Sequence, residues 1–192
     1  MNIVKTSGIV LALLVGSVGV APGKDGPGKS SAESAVAASA GEIRPLLIGA
    51  KVPEVTLKTA TGKPVNLKKK VMEKPTVVVF YRGGWCPYCN MQLGQLQSIE
   101  ADLVELGYQL LAVSPDRPDK LAESLKEKDL RYTLLSDADM AAAKAFGIAF
   151  RVADATLEKY EQYGIDLEEA SGKTHHMLPV PAVFFLGTDG RI

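Results

Sequence analysis

Thr76-Val77-Val78-Val79-Phe80-Tyr81-Arg82-Gly83-Gly84-Trp85-Cys86-Pro87-Tyr88-Cys89 decides the fold. Its first six residues form a continuous β-branched and aromatic run, the pattern of a central strand buried on both faces. Gly83-Gly84 makes a short turn. Beyond Cys89, Leu96, Ile99, Leu103 and Leu106 recur at three- and four-residue spacing until Gly107, so a helix is expected to follow the cysteines directly. Strand, glycine turn, Cys-x-x-Cys and helix place Cys86 and Cys89 at a helix N-terminus, where unsatisfied N–H groups and the helix dipole stabilise negative charge. The first cysteine of such a pair is the usual nucleophile. The second lies one turn away, close enough to attack a mixed disulfide. Pro87 suits the first helical turn because it has no N–H to leave unpaired.

Working outward, strands are expected over 52–57, 65–67, 110–113, 132–135 and 183–186, and helices over 119–128 and 140–146. Lys68-Lys69-Lys70, the longest run of like charge, reads as a solvated loop or a helix start. Thr188-Asp189-Gly190 is a hairpin turn that opens a further strand at Arg191-Ile192. Alternating strands and helices with a late hairpin predict an α/β domain, a central mixed sheet flanked by helices. The chain stops as its last strand opens, so the expectation is a domain truncated at its C-terminal end. Residues 154–172 form an insertion before the late strand. Leu157, Tyr160, Tyr163 and Ile165 are expected to pack it onto the domain as a helix, beside a substrate groove.

The 192 residues suffice for one domain with an N-terminal extension. Lys5 and the apolar stretch from Ile9 to Val15, continuing to Ala21, follow the pattern of a secretory signal peptide over 1–21. The stretch is shorter than the roughly 20 apolar residues that span a bilayer. Export to a periplasmic or other extracytoplasmic compartment is therefore expected, with membrane contact only through this segment. Residues 22–45 read as a flexible Ala/Ser/Gly/Pro linker, and the folded domain is expected over 46–192. Lys+Arg and Asp+Glu both number 22, which argues against a nucleic-acid partner. The two cysteines are too few for a multi-bridge framework or a four-ligand zinc site, so redox chemistry is favoured and no metal or cofactor is expected.

Residues 80–89, together with Leu167-Glu168-Glu169-Ala170-Ser171-Gly172 and Leu178-Pro179-Val180-Pro181-Ala182, resemble the peroxiredoxin-like branch of the AhpC/TSA redoxins, within the thioredoxin superfamily. The resemblance covers roughly 46–192. It implies a thioredoxin-like fold and an antioxidant oxidoreductase in which a thiolate attacks a peroxide. Its Cys-x-x-Cys partner then closes a disulfide, and an external dithiol donor, a thioredoxin-like protein, reopens it. By position, Trp85 would shield the pair and Pro181 would be a cis-proline facing the disulfide. Arg82, where the peroxiredoxin motif opens with proline, would be a cation beside the thiolate. The nucleophile stays open. The thioredoxin pattern makes it Cys86; the peroxiredoxin alignment makes it Cys89, with Cys86 in place of the motif's threonine and the expected arginine falling at or near Pro181. Two other readings stand beside this one. The first is an exported thioredoxin-like protein-disulfide reductase. The second is a Sco-like copper chaperone using His175, His176, Met177 and the thiolates, although Sco cysteines are spaced one residue further apart. Asp116, Asp137 and Asp139 read as caps of loops and helices.

Overall fold

The β-branched run becomes the middle of the structure: Thr76–Phe80 (β3) is buried at every residue. The computed structural model describes residues 36–192; the expected signal segment and residues 22–35 of the expected linker lie outside the described residues. On either side of β3 in the chain come Thr56–Thr59 (β1), Pro64–Asn66 (β2) and Leu67–Glu73 (α1), then Pro87–Glu105 (α2), Gln109–Ser114 (β4), Pro118–Lys128 (α3), Thr133–Ser136 (β5) and Ala141–Ala145 (α4). Ala149–Arg151 (β6), Asp154–Gln162 (α5), Leu167–Ser171 (α6), Met177–Pro179 (β7) and Ala182–Leu186 (β8) complete the order.

Six strands form one sheet in the order β2-β1-β5-β4-β3-β8. β3, β4 and β5 run parallel, whereas β8 is antiparallel to β3 and β1 is antiparallel to β5 and β2. The sheet is thus mixed, with helices covering it. β3 is registered so that Val78 faces Leu111 of β4 and Phe184 of β8. Strand alternation sends Val78, Phe80, Leu111, Val113, Leu135 and Phe184 to one layer with Phe146 and Ile148. It sends Val77, Val79, Tyr81, Leu110, Ala112 and Leu134 to the other, against Cys86, Cys89 and Leu93 of the α2 end and Leu121 of α3.

Several expectations are corrected. Residues 36–45 do not behave as a free linker. Val36, Ile43 and Leu46 pack on the first layer. Ala37 N–H donates to Ala149 O, Arg151 N–H to Ala37 O, and Arg44 N–H to Gly147 O. The packed unit therefore extends about a turn of 3-10 helix and two short extended pieces ahead of residue 46. Leu67 opens a helix rather than ending a strand, because the Asn66 side chain accepts the Lys69 N–H at 2.9 Å and caps α1. The buried stripe of α2 starts at Cys89 and Leu93, while Ile99 and Leu106 face solvent. The pair β6–β7 was not anticipated; its antiparallel register joins Ala149 to Pro179 across the insertion. Arg191 bridges to Lys51 at the other end of the domain. The insertion itself forms two helices, α5 and α6. Leu157, Tyr160 and Ile165 pack as expected, but Tyr163 is exposed.

Candidate active site

Cys86 is the N-cap of α2 and Pro87 its first residue. The Cys86 sulfur accepts the Cys89 N–H at 3.3 Å, the bond a Ser or Thr oxygen makes at an ordinary cap. The Cys89 S–H donates to the same sulfur at 2.7 Å, and both thiols are free. Both are almost fully buried, 6% and 5% exposed. Burial, and then the bond to Cys86, push the Cys89 thiol up to about 11, while backbone N–H groups of Arg82 and Gly83 pull it down. Cys89 therefore keeps its proton at neutral pH and presents it to Cys86. Two donors, the Cys89 N–H and S–H, converge on the Cys86 sulfur.

The turn before the cysteines is held from three elements. Gly84 N–H donates to Asp116 Oδ2 at 2.7 Å, and Asn90 Nδ2 donates to Gly84 O at 2.8 Å. A Cβ on Gly84 would strike Ser124 Oγ of α3. Gly83 has φ +151°, and a Cβ there would collide with the Trp85 indole nitrogen and lie 2.7 Å from Asp116 Oδ1. Only glycine fits that position. Asp116 is buried, and Ser114 Oγ donates to its Oδ2 at 3.1 Å. Burial pushes its carboxyl up to about 6, against the lowering effect of the Gly84 and Ser114 bonds. The Tyr81 phenol beneath is raised far above its usual range by burial and by the Asp116 charge.

Asp116 is thus not a helix cap. Asp137 is: its two oxygens accept the Ala142 and Ala143 N–H groups at 2.9 and 2.8 Å. Asp139 pairs with Lys173 at 2.6 Å. Asn90 and Ser124 escaped the sequence reading, and Asp116 figures in it only as a cap. The usable signal was topological: Asp116 follows β4 just as the motif follows β3, and the C-terminal ends of adjacent parallel strands are where sites gather.

Trp85 is half-buried, with its ring 5.5 Å from that of Tyr160 on α5. It thereby joins the motif to the insertion. A cleft of about 230 Å³ runs between Gly84, Trp85 and Asp116, Lys120 of α3, and Ile165 and Ala170 on the insertion. Arg82 is half-buried, and its Nε is shielded from solvent without a hydrogen-bond partner. What reaches Cys89 from it is the backbone N–H. Pro181 is corrected: among the described residues every peptide bond is trans. Pro181 is exposed, immediately before β8, whose Ala182 pairs with Phe80 at the motif end of β3. Trans is the default for an X-Pro bond, and an extended lead into an edge strand gives no reason to depart from it.

The copper ligand set does not assemble. His175 Nε2 bonds Ala138 O at 2.9 Å and its Nδ1 accepts the Met177 N–H at 3.0 Å, so both ring nitrogens serve the backbone. Burial lowers the His175 pKa. His176 Nε2 bonds Glu168 Oε1 at 2.8 Å. Among the described residues no group of three or more His, Cys, Asp or Glu side chains is placed to hold a metal.

Comparison with known proteins agrees with this geometry. In sequence, the chain is similar to the bcp protein of Haemophilus influenzae, 36% identical over 106 residues, which cover 55% of this chain and 68% of that one. It is 31% identical to peroxiredoxin Bcp of Escherichia coli over 106 residues, 55% of this chain and 67% of that one. In structure, it is similar to peroxidoxin BcpB from Mycobacterium tuberculosis, with a TM-score of 0.60 at 22% identity, covering 75% of this chain and 80% of that one. The reduced Prx3 of Vibrio vulnificus in complex with hydrogen peroxide aligns with a TM-score of 0.62 at 15% identity, covering 76% and 84%. These structural likenesses show the thioredoxin-like fold. The AhpC/TSA family model matches residues 48–192, the sheet, both cysteines and the insertion included, and the chain belongs to the AhpC/TSA family.

Proposed function

We propose that this chain is a thiol-dependent peroxidase in which Cys86 attacks the peroxide and Cys89 resolves the product. The observation that carries this order is the convergence of the Cys89 N–H and S–H on the Cys86 sulfur, in a chain of the AhpC/TSA family. In the first step the Cys86 thiolate forms an S–O bond as the peroxide O–O bond breaks. Sulfur is oxidised to sulfenic acid, and the departing oxygen takes a proton and leaves as water or an alcohol. Cys89 then forms the S–S bond as the S–O bond breaks, and a second water leaves. A thioredoxin-like dithiol donor reduces the disulfide through a mixed-disulfide intermediate. In this reading Trp85 walls the pair on the insertion side, Arg82 supplies a cation near the substrate path, and Pro181 borders that path at the start of β8.

The names of the relatives support a peroxide as the electrophile. The N-cap placement of Cys86 also favours a second electrophile, because a buried, protonated partner one turn on is what a protein-disulfide reductase uses to release its substrate. Stopped-flow oxidation of the reduced chain by hydrogen peroxide and by a peptide disulfide separates the two. The peroxidase reading predicts oxidation by peroxide roughly a hundredfold or more faster than free cysteine. A rate no better than free cysteine, with rapid reaction of the peptide disulfide, transfers the function to disulfide reduction. Export belongs to the same proposal, resting on the pattern of residues 1–21. Fractionation of cells that leaves the full chain in the cytoplasm removes it.

A further inference from the structure

Asp116 performs no step in the scheme above, yet the turn that carries Cys86 hangs on it. It follows β4, whose Val113 pairs with Phe80 at the point where Arg82, Gly83 and Gly84 leave the sheet. Oδ2 accepts the Gly84 N–H and the Ser114 hydroxyl, and Oδ1 fills the space beside the Trp85 indole that a side chain on Gly83 would need. Asn90 holds the Gly84 carbonyl from the other side. Gly84 is thus fixed at both of its polar groups, next to Trp85 and two residues ahead of Cys86. We propose that Asp116 is the positioning residue of the Cys86 turn: its ionised carboxylate sets the placement of Gly84, Trp85 and Cys86, and the turn loosens when that carboxylate takes up a proton.

The physical ground is the difference between a charged and a neutral acceptor. A hydrogen bond to a carboxylate is about twice as strong as one to a neutral group, so protonation weakens the hold on Gly84 without removing it. Burial brings that protonation into an accessible range, with the carboxyl at about 6. The charges around it pull in both directions. Lys120 and Lys128 of α3 favour the ionised form, as do the bonds from Gly84 and Ser114. Tyr81, just after β3, interacts with it electrostatically, and Arg82, His175 and His176 share a small cavity with it. Glu123, Glu127, Asp166 and Glu169 line the cleft on its other side and favour the neutral form.

Trp85 is the only tryptophan of the chain, so its fluorescence reports on this turn directly. The test follows that fluorescence from about pH 4.5 to about pH 8 in the full chain carrying Cys86→Ser and Cys89→Ser, where no thiol titrates. The expected result is one transition centred near pH 6. It disappears with Asp116→Asn, persists with His176→Gln, and moves to higher pH with Ser114→Ala, which removes a bond that holds the carboxyl down. No transition near that pH, a transition that survives Asp116→Asn, or one lost with His176→Gln overturns the proposal. Should Asp116→Asn fail to fold, an unmoved midpoint in Ser114→Ala overturns it and an upward shift sustains it. A second readout is alkylation of the reduced thiols by iodoacetamide. Asp116→Asn slows it by on the order of tenfold above pH 7, and the gap narrows below pH 6, where the native carboxyl is protonated too. An equal gap at all pH values assigns the effect to general damage. This second readout rests on Cys86 being the attacking sulfur, whereas the fluorescence does not, and neither needs the chain to reduce peroxide.

Discussion

On one side of the six-stranded sheet, Phe80, Phe146 and Phe184 meet with ring centroids 4.8 to 5.9 Å apart, Phe80 and Phe184 edge to face and the other two pairs tilted, among valines, leucines and Ile148. On the other side the same strands present Val77, Val79, Leu110 and Leu134 to a layer that also holds Tyr81, Tyr132, Cys86 and Cys89. The interior of the first layer is apolar, so a defect there costs stability in proportion to the hole it leaves. The second carries polar groups with specific partners. Tyr132 donates to the Leu93 carbonyl at 2.9 Å, Cys89 to Cys86, and Asp116 accepts from Gly84. A change at the groups that hold the cysteine turn is expected to alter thiol reactivity as well as stability. The comparison teaches that one alternating strand pattern serves two ends, and that the two can be separated by mutation.

The largest effect on stability is expected at the centre of the dry layer. Phe146→Ala should cost about 3 to 5 kcal/mol in chemical denaturation, while the folded fraction keeps its thiol reactivity. A matching loss of reactivity per folded molecule would break the separation. Next comes a pH effect on the reactive side. The Asp116 carboxyl rises to about 6 in the folded chain from an ordinary value near 3.8, so between those values the folded state binds more protons than the unfolded state. Stability from this group is therefore gained as pH falls from about 7 toward about 4 and is lost as pH rises. Relative to the native chain, Asp116→Asn should gain up to about 3 kcal/mol over that rise. A parallel pair of stability curves would show that burial of this charge costs nothing. The ionised carboxylate that positions the turn is thus maintained against folding stability. The smallest effect is at Tyr132→Phe, which leaves the Leu93 carbonyl without its hydroxyl partner and should cost about 1 kcal/mol, with thiol reactivity unchanged. A loss of reactivity there would mean that the hydroxyl steadies the cysteine end of α2 as well.

Much of this was legible in the sequence for local reasons. Residues 76–81 announced a central strand because β-branched and aromatic side chains without polar interruption suit burial on both faces. The Cys-x-x-Cys motif announced its helix because Pro87 and the glycines bracket it. Other features depend on partners far along the chain. Residues 36–45 carry little apolar surface, and backbone bonds to the Phe146–Arg151 region hold much of the segment in place. The strands β6 and β7 are three residues each and gain their register only from each other. Ile99 and Leu106 fit a helical stripe, but the cysteines fix the rotation of α2 and leave both outside. Asp116 looked like a cap because a single aspartate after a strand carries no mark of the loop it will hold. Its partner Gly84 lies 32 positions away.

The order of attack is the central claim, and one measurement addresses it without relying on overall rates. Reduced Cys86→Ser and Cys89→Ser chains are exposed to one equivalent of hydrogen peroxide with dimedone present, and the modified residue is located by mass spectrometry. The account predicts a sulfenic acid adduct that forms rapidly on Cys86 in the Cys89→Ser chain and only slowly on Cys89 in the Cys86→Ser chain, where burial keeps that thiol protonated. Rapid trapping on Cys89, with Cys86 left unmodified in its own single-cysteine chain, would contradict it and make Cys89 the residue that meets the peroxide.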